Sequence, residues 1–423
     1  MSFQSLNLPD YLLEALDALS YTQPTKIQEE GIPIVLEGQD LMGEAQTGTG
    51  KTAAFALPTI KMLQELPQKK KKTSVLALVL VPTRELALQV SKAFKSYAKY
   101  TPRETKVISL IGGEPIEIQI RGLRMGVDIA IATPGRLLDL IEREEIRLYE
   151  LEILVLDEAD KMLDLGFSEE LEQVFSKIPE KRQNLLFTAT MPEKVEALSV
   201  SILKDPTVIR IEEDQASTNI EQRAIEVNED KKRSLLQHLI KSENWEQTLI
   251  FVASKRSARN LAGKLSKNGI KASDFHGDLN QGERSNILNK FKDRKLNILI
   301  ATDLAARGID ILELSCVINY DLPRSAKDYT HRIGRTGRAG ASGVAISFIT
   351  YETQDHFKLI EERTNNSINR EQIPGFEMNG EAPVKVKGEA PKKGKRKSKK
   401  DRLKEQKSKG KPSFPYKKMG DDL

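Results

Sequence analysis

Ala45-Gln46-Thr47-Gly48-Thr49-Gly50-Lys51-Thr52 decides how this chain is read. It follows a short strand-like stretch, Asp40–Glu44, and opens a helical one, Thr52–Leu63. A strand, a glycine-rich turn and a helix N-terminus make a phosphate-binding loop. Glycines let the backbone N–H groups curl around phosphate oxygens, and the helix start adds positive potential. In that context Lys51 reaches the β- and γ-phosphates and Thr52 ligates Mg²⁺. The generic pattern opens on glycine, where this chain has Ala45. The plainer alternative is a Gly/Thr turn before a helix.

On either side of this loop, short apolar runs alternate with helical patterns. The first half has Val75–Val81, Val127–Ala132, Ile153–Leu156 and Leu185–Phe187, and the second has Leu249–Val252, Ile298–Ala301, Val317–Asn319 and Val344–Phe348. Continuous apolar runs of this length suit strands buried on both faces of a parallel sheet. Glu85–Tyr97 and Arg256–Asn268 are amphipathic connections between them. The alternation predicts two α/β domains with right-handed crossovers. It pauses at the polar Glu212–Asn219 and ends near Ile373-Pro374-Gly375. We therefore expect a first domain over 1–211, a linker over 212–219, a second domain over 220–375 and a disordered Lys-rich tail over 376–423.

A metal partner for the loop belongs at the end of a buried strand. Ile153-Leu154-Val155-Leu156 runs directly into Asp157-Glu158-Ala159-Asp160. Asp157 is placed to hold Mg²⁺ through water, and Glu158 to polarise an attacking water as general base. Acids after a strand otherwise read as a solvated strand end. The second half lacks a Gly-Lys-Thr but has His331-Arg332-Ile333-Gly334-Arg335-Thr336-Gly337-Arg338. Arginines spaced by three and broken by glycines are good donors for a phosphoryl group gaining charge. The alternative is a basic surface loop. A nucleotide site in one domain and arginines in another point to catalysis at the interface.

Composition excludes other classes. Cys316 is the only cysteine, so an intramolecular disulfide and a Cys-cluster zinc site are both ruled out, which favours a reducing compartment. No apolar run approaches the length of a membrane span, and Met1-Ser2-Phe3-Gln4-Ser5 lacks a signal-peptide layout. The expected location is the cytoplasm, with no membrane contact. Net charge is +5, but residues 381–423 hold 16 Lys/Arg against 6 Asp/Glu, a net of +10, which leaves the body at −5. The tail is either solubilising or binds phosphate backbone by counterion release. Phe414-Pro415-Tyr416 adds aromatics for base stacking.

Taken together, these stretches resemble the DEAD-box family of ATP-dependent RNA helicases, most closely its bacterial RhlE-type branch. Asp157–Asp160 spells the family name. Tyr21-Thr22-Gln23-Pro24-Thr25-Lys26-Ile27-Gln28 is similar to the adenine-sensing Q motif, with Phe3 at the upstream aromatic position. Pro82-Thr83-Arg84-Glu85-Leu86, Gly112-Gly113 and Thr133-Pro134-Gly135-Arg136 match RNA-contact motifs. Thr188-Ala189-Thr190 stands where the family usually has Ser-Ala-Thr. Gln281 with Arg284, Ala301-Thr302-Asp303, Arg307-Gly308-Ile309-Asp310 and the His331–Arg338 string follow in family order.

The resemblance covers residues 1 to about 375 and implies two RecA-like domains with parallel sheets. ATP and Mg²⁺ are the implied ligands. The loop residues Thr47, Gly48, Thr49, Gly50, Lys51 and Thr52 would cradle phosphate. Gln28 would read adenine, with Phe3 or Tyr21 packing nearby, and Asp310 would contact the ribose. Arg335 and Arg338 would act as arginine fingers. Thr188, Thr190 and His331 would couple the domains. Thr83, Arg84, Gly113, Thr133, Arg136, Arg284 and Thr302 would hold the RNA backbone without sequence specificity. The expected product is ADP and phosphate, coupled to separating short RNA duplexes or remodelling RNA–protein complexes.

Plainer readings stand beside these. Thr83 is also a good helix cap, Gly112-Gly113 a turn, and Thr133-Pro134-Gly135 a strand-to-helix turn. Trp245 reads as a packing residue and Lys69–Lys72 as a solvated loop, while His238 and His356 carry no assignment. A DNA helicase of the same superfamily and an ATP-independent RNA-annealing protein are the rival functions. A monomer is expected, with a ribosomal or decay ribonucleoprotein as the wider partner.

Overall fold

The computed structural model describes residues 2–46, 48–66, 74–211, 220–243, 245–306, 309, 311, 314–337 and 342–380. Thr47, Asp310, Arg338, Arg307-Gly308, Lys69–Lys72, the expected linker and the tail from 381 onward lie outside them.

The first sheet has seven strands: β1 Leu41–Glu44, β2 Ala77–Leu80, β3 Val107–Leu110, β4 Ile129–Ala132, β5 Ile153–Leu156, β6 Gln183–Thr188 and β7 Thr207–Arg210. The second has β8 Ile220–Glu226, β9 Thr248–Phe251, β10 Ala272–Phe275, β11 Ile298–Ala301, β12 Cys316–Asn319, β13 Gly343–Ile349 and β14 Arg370–Glu371. The spatial order is β3-β4-β2-β5-β6-β1-β7 in one and β10-β11-β9-β12-β13-β8-β14 in the other. Numbered from its own first strand, each sheet has the same order. Every strand pair is parallel.

The apolar runs are strands because both their faces are covered. On β5, Ile153 and Val155 join one apolar cluster while Leu154 and Leu156 join the cluster on the opposite face. β2 and β4 divide the same way. In the second sheet Ile298 and Ile300 of β11 point to one side and Leu299 and Ala301 to the other. The period-2 geometry of a strand makes that split, and helices on both faces supply the partners.

The strands that lack a continuous apolar run lie at or beside the sheet edges. β3, β7, β10 and β14 are edge strands and β8 is next to one. β8 reads Ile-Glu-Gln-Arg-Ala-Ile-Glu. Only Ala224 and Ile225 of β8 are fully buried, in clusters on opposite faces, so partly covered polar residues interrupt any continuous apolar run. The packed chain also extends past the expected tail boundary at 376. Phe376 stacks against His238 with ring centroids 5.3 Å apart. Asn228 Nδ2 donates to the Asn379 carbonyl at 2.9 Å, and Tyr351 Oη donates to the Met378 carbonyl at 3.3 Å.

Candidate nucleotide site and RNA interface

The strand order makes the site. β6 lies between β1 and β5, so the segments leaving the carboxyl ends of all three are neighbours. Glu44 stands level with Thr188 and Leu156 with Leu186. A crevice at the carboxyl ends of parallel strands, where the order reverses, is the usual ligand position in open α/β sheets. Here β1 runs into the glycine-rich loop, β5 into Asp157, and β6 into Thr188–Thr190.

The loop is held from the flank. Thr25 Oγ1 donates to the Thr49 carbonyl at 2.7 Å, and Gln28 Nε2 donates to the Gly50 carbonyl at 3.0 Å. Gln28 Oε1 accepts from the Thr25 N–H at 3.1 Å, completing a capping box at the start of the helix Lys26–Leu36. Gly50 has φ +91°, and a Cβ there would come within 2.9 Å of Thr25 Oγ1 and collide with the Gln28 amide. Only glycine fits that approach. Lys51 opens the helix Lys51–Glu65, and its Nζ donates to the Ala45 carbonyl at 2.8 Å.

The two acids after β5 are both 3% exposed. Burial pushes the Asp157 carboxyl up to about 6; Glu158 adds to the rise and Lys51 opposes it. Asp157 Oδ1 is buried without a hydrogen-bond partner. Burial alone would raise Glu158 too, but Lys161, Lys51 and Arg335 outweigh it and hold that carboxyl below its usual range. Lys161 Nζ stands 2.5 Å from Glu158 Oε1. Glu158 has left-handed backbone, φ 55° and ψ 49°. Asp160 receives the Thr190 hydroxyl at 2.9 Å, and the Thr190 carbonyl receives the Thr188 hydroxyl at 2.7 Å.

The raised Asp157 value carries a stability prediction. A carboxyl whose folded value lies above its unfolded 3.8 costs nothing below pH 3.8. The cost grows between about 3.8 and 6 and is complete above that. At about 1.4 kcal/mol per pH unit, Asp157→Asn should stabilise the ligand-free chain at pH 7.5 by up to about 3 kcal/mol. Urea unfolding at pH 7.5 and pH 4.5 measures it. The gain should shrink at the lower pH, and equal stability of the two proteins at pH 7.5 would contradict it.

Residues from both sheets line one cavity of about 620 Å³. Tyr21, Gln28, Gly48, Gly50, Lys51 and Thr52 come from the first half, with Asp157 and Glu158. Arg335 and Ile309 come from the second. Arg335 Nη1 donates to the Ile309 carbonyl at 2.8 Å. Arg332, in the same arginine string, turns inward. It forms a two-point pair with Asp303 at 2.6 and 2.7 Å and is 3% exposed. The helix Ala326–Ile333 faces the helix Ala159–Asp164, where Lys327 pairs with Asp164 at 2.9 Å. His331 is exposed, yet partial desolvation lowers its value, and Lys161 and Lys327 lower it further against the pull of Asp160.

Two candidates sit differently from the rest. Phe3 is 4% exposed and packed in the first core cluster, so it is absent from the cavity wall. Tyr21 does line it, with its hydroxyl 3.5 Å from that of Tyr97. Arg284, expected on RNA, is 6% exposed and committed elsewhere. Its Nε donates to Glu85 Oε1 across the two sheets at 2.5 Å, and its Nη1 donates to the His276 carbonyl at 3.1 Å.

The other RNA candidates separate into two groups. Arg84, Gly113 and Arg136 converge. Gly113 has φ +82°, and a Cβ there would strike the Arg84 guanidinium. Burial lowers the Arg136 value, with Arg84 lowering it further. Arg136 Nη2 donates to the Glu114 carbonyl at 3.1 Å, while its Nη1 is buried without a partner. Two close guanidiniums and an orphan donor suit a phosphate. Thr133 begins the helix Pro134–Glu142 without using its hydroxyl as a cap. Thr83 is the opposite case, since its hydroxyl accepts from the Leu86 N–H at 3.3 Å. Thr302 precedes the short helix Asp303–Ala306. Sequence reasoning missed Lys161, Gln89, Lys92 and Tyr97 on the cavity wall. Lys161 alone had a visible signal, its spacing of three from Glu158 at the start of a helix.

Family models for the DEAD/DEAH box helicase and the helicase conserved C-terminal domain match residues 25–198 and 230–340. An ATP-dependent RNA helicase named CshA from Listeria monocytogenes is 40% identical over 376 residues, covering 89% of this chain and 71% of the relative. A DEAD-box ATP-dependent RNA helicase CshA from Geobacillus kaustophilus is 39% identical, covering 88% and 79%. The structure of S. cerevisiae Dbp5 bound to RNA and ADP BeF3 superposes with TM-score 0.76 at 32% identity, covering 88% of this chain and 95% of that one. A DEAD box protein from Methanococcus jannaschii gives 0.50 at 38% identity, covering 88% and 99%. With its nucleotide loop, its paired acids and Arg335 gathered in one cleft between two like sheets, this chain belongs to the DEAD-box family of ATP-dependent RNA helicases.

Proposed function

We propose that the chain hydrolyses ATP in the cleft between its two sheets and uses the resulting closure and release to separate short RNA duplexes. The supporting observation is the meeting of Arg335 with Lys51, Asp157 and Glu158 around one cavity. The triphosphate lies along Gly48–Thr52, with Lys51 turning from the Ala45 carbonyl to the β- and γ-oxygens. Water attacks the γ-phosphorus, the bond to the ADP oxygen breaks, and the water proton passes to Glu158. Arg335 neutralises charge on the transferring group, with Arg338 assigned the same role from sequence. Thr188, Thr190 and His331 tie the acid run to the second domain.

A Mg²⁺ ion fits the donors present. Asp157 Oδ1 is a buried oxygen without a partner, and a hard cation takes oxygen ligands. Among the described residues no three His, Cys, Asp or Glu side chains form a metal cluster, so phosphate and water would have to supply the remaining ligands. Thr52 and Asp157 are the residues that would hold it, and it would supply charge neutralisation to the phosphates.

RNA backbone is assigned to Arg84, Gly113, Thr133, Arg136 and Thr302, with Thr83 contributing its backbone. Arg284 is assigned to the RNA backbone too, from a position where it also bridges to Glu85. The placement in an RhlE-type branch rests on motif order alone, since the relatives compared are named CshA. A cytoplasmic monomer acting on ribonucleoprotein, with domains bounded at 211 and 220, completes the proposal. No described helix is long and apolar enough to cross a membrane.

ATPase assays with RNA and with single-stranded DNA test the substrate class. Stimulation by RNA alone is expected, and equal stimulation by DNA would overturn it. The same assay on a chain ending at Gly380 tests the +10 tail. The RNA concentration for half-maximal stimulation should rise and its salt dependence flatten.

A further inference from the structure

Lys161 follows the four-residue acid run and belongs to none of the motifs above. Its ammonium is nonetheless set against the general base. Nζ lies 2.5 Å from Glu158 Oε1, and the two side chains are 12% and 4% exposed. The lysine is itself anchored. Its backbone N–H donates to the Glu158 carbonyl at 3.0 Å and to Asp160 Oδ1 at 2.9 Å. The other Asp160 oxygen takes the Thr190 hydroxyl, so the turn is tied to the segment leaving β6. Three residues further on, Asp164 reaches Lys327 of the second domain at 2.9 Å. Lys161 therefore stands on the face of its helix that meets the second domain.

The neighbouring cations have other duties. Lys51 donates to the Ala45 carbonyl and Arg335 to the Ile309 carbonyl. A glutamate carries three rotatable bonds, and a base must be held in line with the water it serves. We propose that Lys161 is a positioning residue for the reaction: it grips one oxygen of Glu158 and leaves the other directed at the attacking water. The inference rests on Glu158 being the general base. It adds a residue that acts on the phosphoryl transfer only through Glu158.

The experiment compares Lys161→Met, Lys161→Arg, Glu158→Gln and the Lys161→Met/Glu158→Gln double variant in full-length protein with saturating RNA. Lys161→Met should lower kcat about tenfold. Its KM for ATP should stay within about twofold, because the binding loop is untouched. Lys161→Arg should recover most of the rate. In the Glu158→Gln background, Lys161→Met should cost nothing further, read by single-turnover hydrolysis. Multiplying losses in the double variant would overturn the inference. So would a Lys161→Met loss that arginine does not rescue and that accompanies a lower unfolding midpoint. Inactive Glu158→Gln beside fully active Lys161→Met overturns this inference alone, whereas active Glu158→Gln overturns the general-base reading together with it.

Discussion

Arg335→Ala is expected to cut RNA-stimulated ATP turnover by about 10³-fold or more, with ATP affinity nearly unchanged. The asymmetry follows from where the residue sits. The loop that grips phosphate is built on the first sheet, from Thr25, Gln28 and Lys51. Arg335 comes from the second sheet and enters the same cavity from across the cleft. Removing it leaves the binding loop intact and takes away a donor that matters when charge develops on the transferring group. Single-turnover hydrolysis with a parallel nucleotide-binding titration measures both quantities. Equal losses in binding and turnover would place Arg335 among ordinary ground-state contacts. Arg335→Lys should recover little, because an ammonium lacks the planar fork.

Glu158→Gln is the second large effect, with turnover lower by about 10³-fold and ATP binding retained. Glutamine preserves the volume of a side chain that is 3% exposed, so packing should survive. It removes the acceptor for the water proton and the charge that Lys161 faces at 2.5 Å. Wild-type turnover in this variant would refute the general-base assignment.

The central strands were legible because burial on both faces writes a continuous apolar run. Ile153–Leu156 and Ile298–Ala301 fall on the observed strands residue for residue. The glycine loop was legible because its backbone needs leave few alternatives to glycine at Gly50. Edge strands such as β3 and β10 were not, since most of their residues are only partly covered and tolerate polar side chains. Side-chain partnerships were least visible. Arg284 carries the same local pattern whether it meets RNA or Glu85, a residue 199 positions away. Arg332 and Arg335 share one string, yet the first is locked to Asp303 and the second faces the acids. Distant partners decide such fates, and spacing along the chain does not encode them.

The shared strand order has one more consequence. Lys51 opens the helix after the first strand of its sheet, and Asp157 follows the fifth. Lys232 opens the helix after the first strand of the other sheet, and Asp321 follows its fifth strand by one residue. In the second sheet these two meet directly at 2.9 Å, with Glu229 also on the lysine at 3.3 Å and Tyr320 beneath it. There the opposite charges satisfy each other. In the first sheet Lys51 rests on a neutral carbonyl and Asp157 keeps an idle oxygen. The molecule thus contains one charge pair twice, short-circuited in one half and held open for a ligand in the other.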